Sequence, residues 1–542
     1  MTGGGTVFDV FDAAANSYGA RPFLHAPDET ARLYALEKTH YAYDEAAVEV
    51  ERLKNKYQSV GARNGVRVGL AFENRPEFFL HFLALNALGA SILPLNCAMQ
   101  PEELLYQISH SECALIVATQ SFHTQFSEIA AQAPQRPLVV TPETMDSCGR
   151  LASSETPDNG DPAQREAAIL YTSGTTGRPK GCILSNEYFR AIGELYTGLG
   201  GHIVFEPGAE RIITPLPVTH MNALACSFMA AMGTGGCLIQ LDRFHPKSWW
   251  KTVRESRATI MHYLGVMPAM LLNAPEDDRD DFGDQIKFAF GAGCDPRHHA
   301  RFEKRFGVRL IEAWAMTETG AGAWITASDE PRHVGTRCFG KAPAGLETRL
   351  VDEEGRDVQK GTAGELLVRR AGADPRRHFF SGYFKDAAAT DEAWAGGWFH
   401  TGDAVRQDDD GYFYFVDRLK NVIRRSGENI AAIDVESVLM RHDGVAACVV
   451  VPVPDEIRGD EVMALVISSD GDRSEARARS VFDHALEHLV YFKAPGYVAF
   501  VDAIPVTASE KVKRGEAKLI GRKLLEESAC FNFNALKKAR KE

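Results

Sequence analysis

Residues 171–186 read YTSGTTGRPKGCILSN and set three glycines, three threonines and one lysine between the apolar runs AAIL and CILS. A segment this bare is soft and costs conformational entropy to order. A polyanion is the ligand that would offset that cost. The hydroxyls of Ser173, Thr175 and Thr176, together with successive backbone N–H groups, can wrap phosphate oxygens as a nest, and Lys180 adds a positive charge. No G-x-x-x-x-G-K-[ST] occurs, and Pro179 stands where such a motif would turn into a helix. The expected local structure is therefore strand, loop, strand. The plainer alternative is a surface hairpin, which seldom sets so many hydroxyls beside glycines.

The elements that must carry this loop are legible on either side of it. GVRVGLAF, CALIVAT, RPLVVT and EAAIL are short β-rich runs separated by amphipathic helical stretches. That alternation predicts an α/β fold with a largely parallel sheet. Asn74 with Pro76 just behind it marks a helix start, Gly89 its stop, and SILPL a following strand. His81, Asn86, Gly89 and Pro94 interrupt this most apolar stretch, making it too polar and short for a bilayer span. Further on, LETRLVDEEGRDVQKGTAGELLVRR has strands around polar turns, the pattern of antiparallel hairpins in a β-rich subdomain. The pattern then resets: a helix from about Ile433, strands ACVVVPV and VMALVI, a helix from Arg477 to Leu489, and YVAFVDAI. The expectation is a large N-terminal α/β region with a β-rich subdomain over 1–417, a boundary at 418–420, and a small α+β domain over 421–542. The closing LKKARKE reads as a solvated basic tail.

The chain has 542 residues, 45% hydrophobic and 25% charged, with a formal net charge of −13. This is an ordinary globular composition for more than one domain. The acidic balance argues against a general nucleic-acid surface, which would select basic faces. Ten cysteines without CxxC pairs or finger spacing read as reduced thiols rather than disulfides or zinc ligands. With no basic-plus-apolar leader at the start, a cytoplasmic location is expected.

YTSGTTGRPKG resembles the phosphate-binding signature of the adenylate-forming superfamily, which contains acyl-CoA synthetases, firefly-type luciferases and the adenylation domains of nonribosomal peptide synthetases. GAGC (residues 291–294), EAWAMTETG (312–320), GWFHTGD (397–403), DRLKNVIRRSGENI (417–430) and IPVTASEKVKR (504–514) resemble its further motifs, in family order. The resemblance implies an ATP site built from Thr172, Ser173, Gly174, Thr175, Thr176, Gly177 and Lys180. Gly291, Ala292 and Gly293, with Glu312, Ala313 and Trp314, would lie about the adenine. Trp314 stands where the family usually has tyrosine, and an indole stacks on adenine at least as well. Thr317 would offer a hydroxyl to phosphate and Glu318 an oxygen to Mg²⁺. Asp403 would face the ribose hydroxyls, Arg418 ribose and phosphate, and Lys420 would mark the hinge. Lys511 matches the lysine that the mobile C-terminal domain inserts into the site. The residue before it is Glu510 instead of the family's glycine, which leaves Lys513 as the other candidate.

The implied reaction has two steps, with Mg·ATP and coenzyme A as cofactor and co-substrate. A small-molecule carboxylate attacks the α-phosphate to give an acyl-adenylate and pyrophosphate, and a thiol then displaces AMP. Neither step requires a protein nucleophile, so Cys226 and Cys294 read as packing residues. With no carrier module after the small domain, a free-standing CoA ligase is expected. The alternatives are an enzyme loading a carrier protein and a nucleotide-binding ATPase. A homodimer is compatible with this reading. PLPVTHMNALACSFMAAMGTGGCLIQLDRFHPKSWW and the EKV at the inserted lysine most resemble the crotonobetaine/carnitine-CoA ligase branch. For the acyl pocket, the resemblance points to His220, His262 and Gly265. Arg337 hints at a polar or second-charge-bearing acid. His220 could equally be a satisfied core histidine, and Arg337 a structural salt bridge.

Overall fold

The computed structural model describes residues 5–151, 160–172, 179–425, 428–455, 458–506 and 512–538. Two compact units divide the chain. The first gathers Met1–Thr348, Val368–Phe399 and Asp408–Tyr414; the second gathers Arg349–Leu367, His400–Gln407 and Phe415–Glu542.

In the first unit, one sheet runs in the order Gly382–Tyr383, Lys180–Ser185, Glu166–Thr172, Ser91–Pro94, Arg67–Ala71, Leu115–Ala118, Leu138–Val140. The strands from Glu166–Thr172 to Leu138–Val140 are parallel, and the first two close the edge antiparallel. Leu115–Ala118 is buried at every position, as parallel strands covered on both faces are. The helix Pro76–Ala87 starts with proline at its first turn, where the missing N–H is not needed, and is buried almost throughout. Gly89, with φ +71°, then turns the chain into Ser91–Pro94.

A second set of strands in this unit runs Pro22–His25, Cys237–Gln240, Arg211–Thr214, Ile260–Leu264, Phe288–Ala292, Leu310–Trp314, all parallel. Ile325–Thr326 and Cys338–Lys341 follow antiparallel. Trp249, Phe302 and Phe306 pack in the core beneath them. The α/β expectation holds. Ligands of such sheets collect beyond the C-terminal strand ends, here Leu264, Ala292 and Trp314.

In the second unit, Val445–Asp455 pairs antiparallel with Gly459–Ser468, which lies parallel to Tyr497–Phe500. Val435 and Phe482 anchor the helices Ala432–Leu439 and Glu475–His488 in one core, and Ala517 anchors Arg514–Glu526 in another. The helix expected from Arg477 begins two residues earlier, because the Ser474 hydroxyl caps it by accepting from the Arg477 N–H. The tail expected to be solvated is not so at Lys537. Its ammonium is buried against Glu461, whose other oxygen takes Arg425 Nε at 2.7 Å. A buried carboxylate needs such partners, and burial brings Lys537 down to about 8. Among the described residues, no helix is long and apolar enough to cross a membrane.

Candidate functional site

Thr172 and Lys180 face each other at the ends of the antiparallel strands Glu166–Thr172 and Lys180–Ser185. The residues between them, including Ser173, Gly174, Thr175, Thr176 and Gly177, lie outside the described residues, as does Lys511. One helix, Pro101–Ser111, braces both flanks. Tyr106 donates to the Pro179 carbonyl at 3.1 Å, and His110 Nδ1 lies 2.7 Å from the Tyr171 hydroxyl. Residues four apart share a helix face, so one element holds both strand ends.

Glu318 comes to the same place from beyond the strand Leu310–Trp314. It is buried, its backbone carbonyl accepts from the Phe380 N–H, and its Oε1 accepts from the Tyr383 hydroxyl at 3.1 Å and from Thr172 Oγ1 at 3.4 Å. Lys180 Nζ lies 4.8 Å from the centroid of the Tyr383 ring. Thr317 is half-buried, and its carbonyl accepts from the Tyr188 hydroxyl at 2.8 Å. Among the described residues, no three His, Cys, Asp or Glu side chains gather as a cage. Mg²⁺ usually takes one or two carboxylates and completes its shell with phosphate oxygens and water. Glu318, buried at the mouth of the strand pair, is a carboxylate of that kind.

A second cluster forms at the ends of three parallel strands. The buried Glu312 accepts through Oε1 from the Tyr263 hydroxyl (2.5 Å) and the Cys294 N–H (3.0 Å), and through Oε2 from the Gly293 N–H (2.9 Å). Burial pushes its carboxyl up, while these three donors pull it down; the net direction is up. Glu312 thus holds the backbone at Gly293 and Cys294, just past the end of the strand Phe288–Ala292. Gly293 has φ +78°, and a Cβ on Gly265 would lie 1.7 Å from the Gly293 carbonyl oxygen, so both positions need glycine. Ala292 and Gly293 are exposed. Ala313 pairs with Thr326, and Trp314 is buried with its ring 6.1 Å from that of Phe339.

The remaining acyl-pocket candidates differ in setting. His262 is fully buried: Nδ1 lies 2.6 Å from Asn222 Oδ1 and 2.9 Å from Ser227 Oγ, and Nε2 lies 2.9 Å from the Tyr196 hydroxyl. An amide oxygen only accepts, so Nδ1 donates to Asn222 and Nε2 accepts from Tyr196. Burial lowers this histidine to about 3, which keeps it neutral. Asn222 and Ser227 belong to a π-helical turn, and His220 sits exposed just before it. Asn74 fixes the approach by donating to the Leu216 and Asp242 carbonyls and accepting from the Val218 N–H. Arg337 has a left-handed backbone, φ +60°. Its loop is tied down by Arg332, whose two terminal nitrogens reach Glu303 at 2.7 and 2.9 Å, and by the Gly335 N–H donating to His299 Nδ1. Cys226 and Cys294 are buried, and burial pushes both thiols up.

Within the second unit, the buried Asp403 meets Arg418, Oδ1 to Nε 2.8 Å, and Arg418 also donates to the Thr401 carbonyl. The turn expected at Gly402 is not there: Thr401, Gly402 and Asp403 lie within the strand Phe399–Gln407, where Gly402 takes a left-handed φ of +65° and its N–H donates to Glu365. Asp417 accepts from the Arg418 and Ile433 N–H groups and from Asn421, so it braces the short turn Leu419–Asn421 that contains Lys420. The Lys420 side chain lies outside the described residues.

Sequence reasoning missed Tyr383, Tyr188 and the Tyr106–His110 brace. SGYFK carries no spacing that ties Tyr383 to Glu318, 65 residues away, and only the fold reveals the pairing.

Residues 11–384 match the family model described as AMP-binding enzyme, and residues 434–511 the model described as AMP-binding enzyme C-terminal domain. A crotonobetaine/carnitine–CoA ligase of Escherichia coli O7:K1 is 27% identical over 531 residues, covering 96% of this chain and 100% of the relative. ATP-bound MatB from Rhodopseudomonas palustris superposes with a TM-score of 0.78 at 24% identity, over 95% of this chain and 99% of its own. The o-succinylbenzoate CoA synthetase of Bacillus subtilis, in complex with its acyl-adenylate intermediate, gives 0.77 at 22% identity over 94% and 97%.

Proposed function

Because the chain belongs to the AMP-binding enzyme family, we propose that it is an ATP-dependent acid–thiol ligase that makes an acyl-adenylate and passes the acyl group to coenzyme A. The observation that carries this reading is the meeting of Glu318, Thr172 and Lys180 at the two strand ends flanking residues 173–178. Glu318 would hold Mg²⁺ together with the nucleotide, and the ion would neutralise charge on the polyphosphate. Lys180 brings a cation to the same end. The strand end at Gly291–Gly293, with Trp314, takes the adenine; Asp403 and Arg418 take the ribose. Lys511 orients the acid's carboxylate and meets charge growing on the α-phosphate. The carboxylate oxygen attacks that phosphorus, the bond to the leaving pyrophosphate breaks, and a mixed anhydride remains. The thiol sulfur then attacks the acyl carbon and AMP leaves.

Residues 1–417 and 421–542 would be the two bodies that rearrange between the steps, with Lys420 at the hinge. The acid contacts fall to His220, Gly265 and Arg337, with His262 supporting from below. A cytoplasmic enzyme acting on small molecules accords with this chemistry. The test is AMP release with ATP, Mg²⁺ and an activated acid, with and without free coenzyme A. Stimulation by coenzyme A supports the ligase. Acid-dependent pyrophosphate release without that stimulation points to a carrier-protein acceptor, and phosphate release without any acid points to an ATPase.

A further inference from the structure

Tyr383 sits on the two-residue strand Gly382–Tyr383, opposite Cys182 on the strand that begins with Lys180. Hydrogen bonds set its backbone on both sides: Ser381 N–H to the Ile183 carbonyl, Phe384 N–H to the Gly181 carbonyl, and Tyr383 N–H to Thr390 Oγ1. The ring packs edge-on against Phe380 at 4.8 Å, and the Phe380 N–H holds the Glu318 backbone. From this frame the side chain reaches two charged groups at once. Its hydroxyl donates to Glu318 Oε1 at 3.1 Å, and its ring face lies 4.8 Å from the Lys180 ammonium. Thr172 Oγ1 lies 3.4 Å from the same carboxylate oxygen and 3.5 Å from the Lys180 carbonyl, so it joins the two strand ends to the pair.

We propose that Tyr383 is a positioning residue for the cation-bound nucleotide: its hydroxyl orients the Glu318 carboxylate toward the divalent ion while its ring seats Lys180 beside it. The proposal rests on the reading of Glu318 and Lys180 given above. Held at Oε1 by the Tyr383 hydroxyl, with Thr172 Oγ1 beside it, the Glu318 carboxylate has little rotational freedom, so its other oxygen is aimed before the ion arrives. Hydrogen bonds to charged groups are stronger than neutral ones, and a cation over an aromatic face gains further attraction. Tyr383 therefore ties the metal side and the lysine side of the polyphosphate into one arrangement.

Tyr383→Phe removes the hydroxyl and keeps the ring; Tyr383→Leu removes both. ATP binding by calorimetry, with and without Mg²⁺, gives a readout independent of turnover, and acid-dependent exchange of pyrophosphate into ATP across a Mg²⁺ series gives the kinetic one. In Tyr383→Phe, the Mg²⁺ concentration for half-maximal exchange should rise about tenfold. The Mg²⁺-dependent gain in ATP affinity should shrink correspondingly, with the thermal midpoint and the KM for the acid near wild type. Tyr383→Leu should in addition weaken ATP binding measured without Mg²⁺, through Lys180. If wild type gains affinity for ATP with Mg²⁺ and Tyr383→Phe gains it equally, Tyr383 is a packing residue and the proposal is overturned while the ligase reading stands. If wild type shows neither exchange nor binding of Mg·ATP, both fall.

Discussion

Glu312 holds Gly293 from below: its Oε2 accepts the Gly293 N–H at 2.9 Å while its Oε1 takes the neighbouring Cys294 N–H and the Tyr263 hydroxyl. Three donors converge on one buried carboxylate, and its place is to shape the strand end above it. Glu312→Gln keeps the volume but points an amide N–H₂ at a donor. An unmet buried hydrogen-bonding group costs roughly 1–3 kcal/mol, so the KM for ATP should rise about tenfold or more with the KM for the acid little changed. Steady-state kinetics with ATP varied checks this. An unchanged KM for ATP beside a lowered thermal midpoint would restrict Glu312 to the core.

Asp403 and Arg418 make a different prediction, because the carboxylate is buried and the guanidinium is not. If Asp403 serves the ribose hydroxyls, the wild-type enzyme should prefer ATP to 2′-deoxy-ATP by about tenfold, the worth of one charged hydrogen bond. Asp403→Asn should lose most of that preference. Persistence of the preference in the variant would leave Asp403 only as the anchor of Arg418.

The loop presenting Arg337 has a pH signature of its own. Burial pushes the Glu303 carboxyl up, but hydrogen bonds from Arg332 and His299 outweigh it and hold it at about 2 against an ordinary 4.5. A carboxyl depressed in the folded state contributes its full stabilisation above pH 4.5, and that contribution is lost as pH falls through about 2. The difference corresponds to about 3 kcal/mol. Glu303→Gln should therefore be less stable than wild type by about that amount at pH 7, and the gap should close between pH 4.5 and 2. Denaturant unfolding at pH 7, 4.5 and 3 measures it. A gap independent of pH would show that Glu303 acts through shape alone.

Lys511 divides the two half-reactions. Lys511→Ala should depress adenylation by a hundredfold or more, in line with removal of a charge-stabilising group from a transition state. Thioester formation from supplied acyl-adenylate should stay within severalfold of wild type. Equal losses in both would contradict its role, and a selective loss in Lys513→Ala instead would transfer that role to Lys513.

Much of this architecture could be read from short-range pattern. The β-rich runs at 67–71, 91–94, 115–118 and 166–172 became parallel strands because apolar residues buried on both faces leave few alternatives. Pro76 and Gly89 bounded their helix through fixed backbone preferences. The strand pair about residues 173–178 was legible for the same reason. What stayed hidden depends on contacts distant in sequence. The sequence motif marks Glu312 as an ATP-site residue, but its three partners come from neighbouring strand ends that only the sheet brings together. A terminal basic run such as the one holding Lys537 is usually solvated, and nothing local announces its partner Glu461, 76 residues earlier. His262 looked like a polar pocket wall; Asn222, Ser227 and Tyr196, which engage both of its nitrogens, follow no spacing rule.

A chain that activates an organic acid as its AMP anhydride must also run that step backwards. Exchange of labelled pyrophosphate into ATP, run with Mg²⁺ against a panel of short, branched, aromatic and dicarboxylic acids, tests it most directly. Exchange should require at least one acid and Mg²⁺ and be severely reduced in Lys511→Ala. No exchange with any acid in folded, ATP-binding protein, or exchange indifferent to the acid, would contradict it.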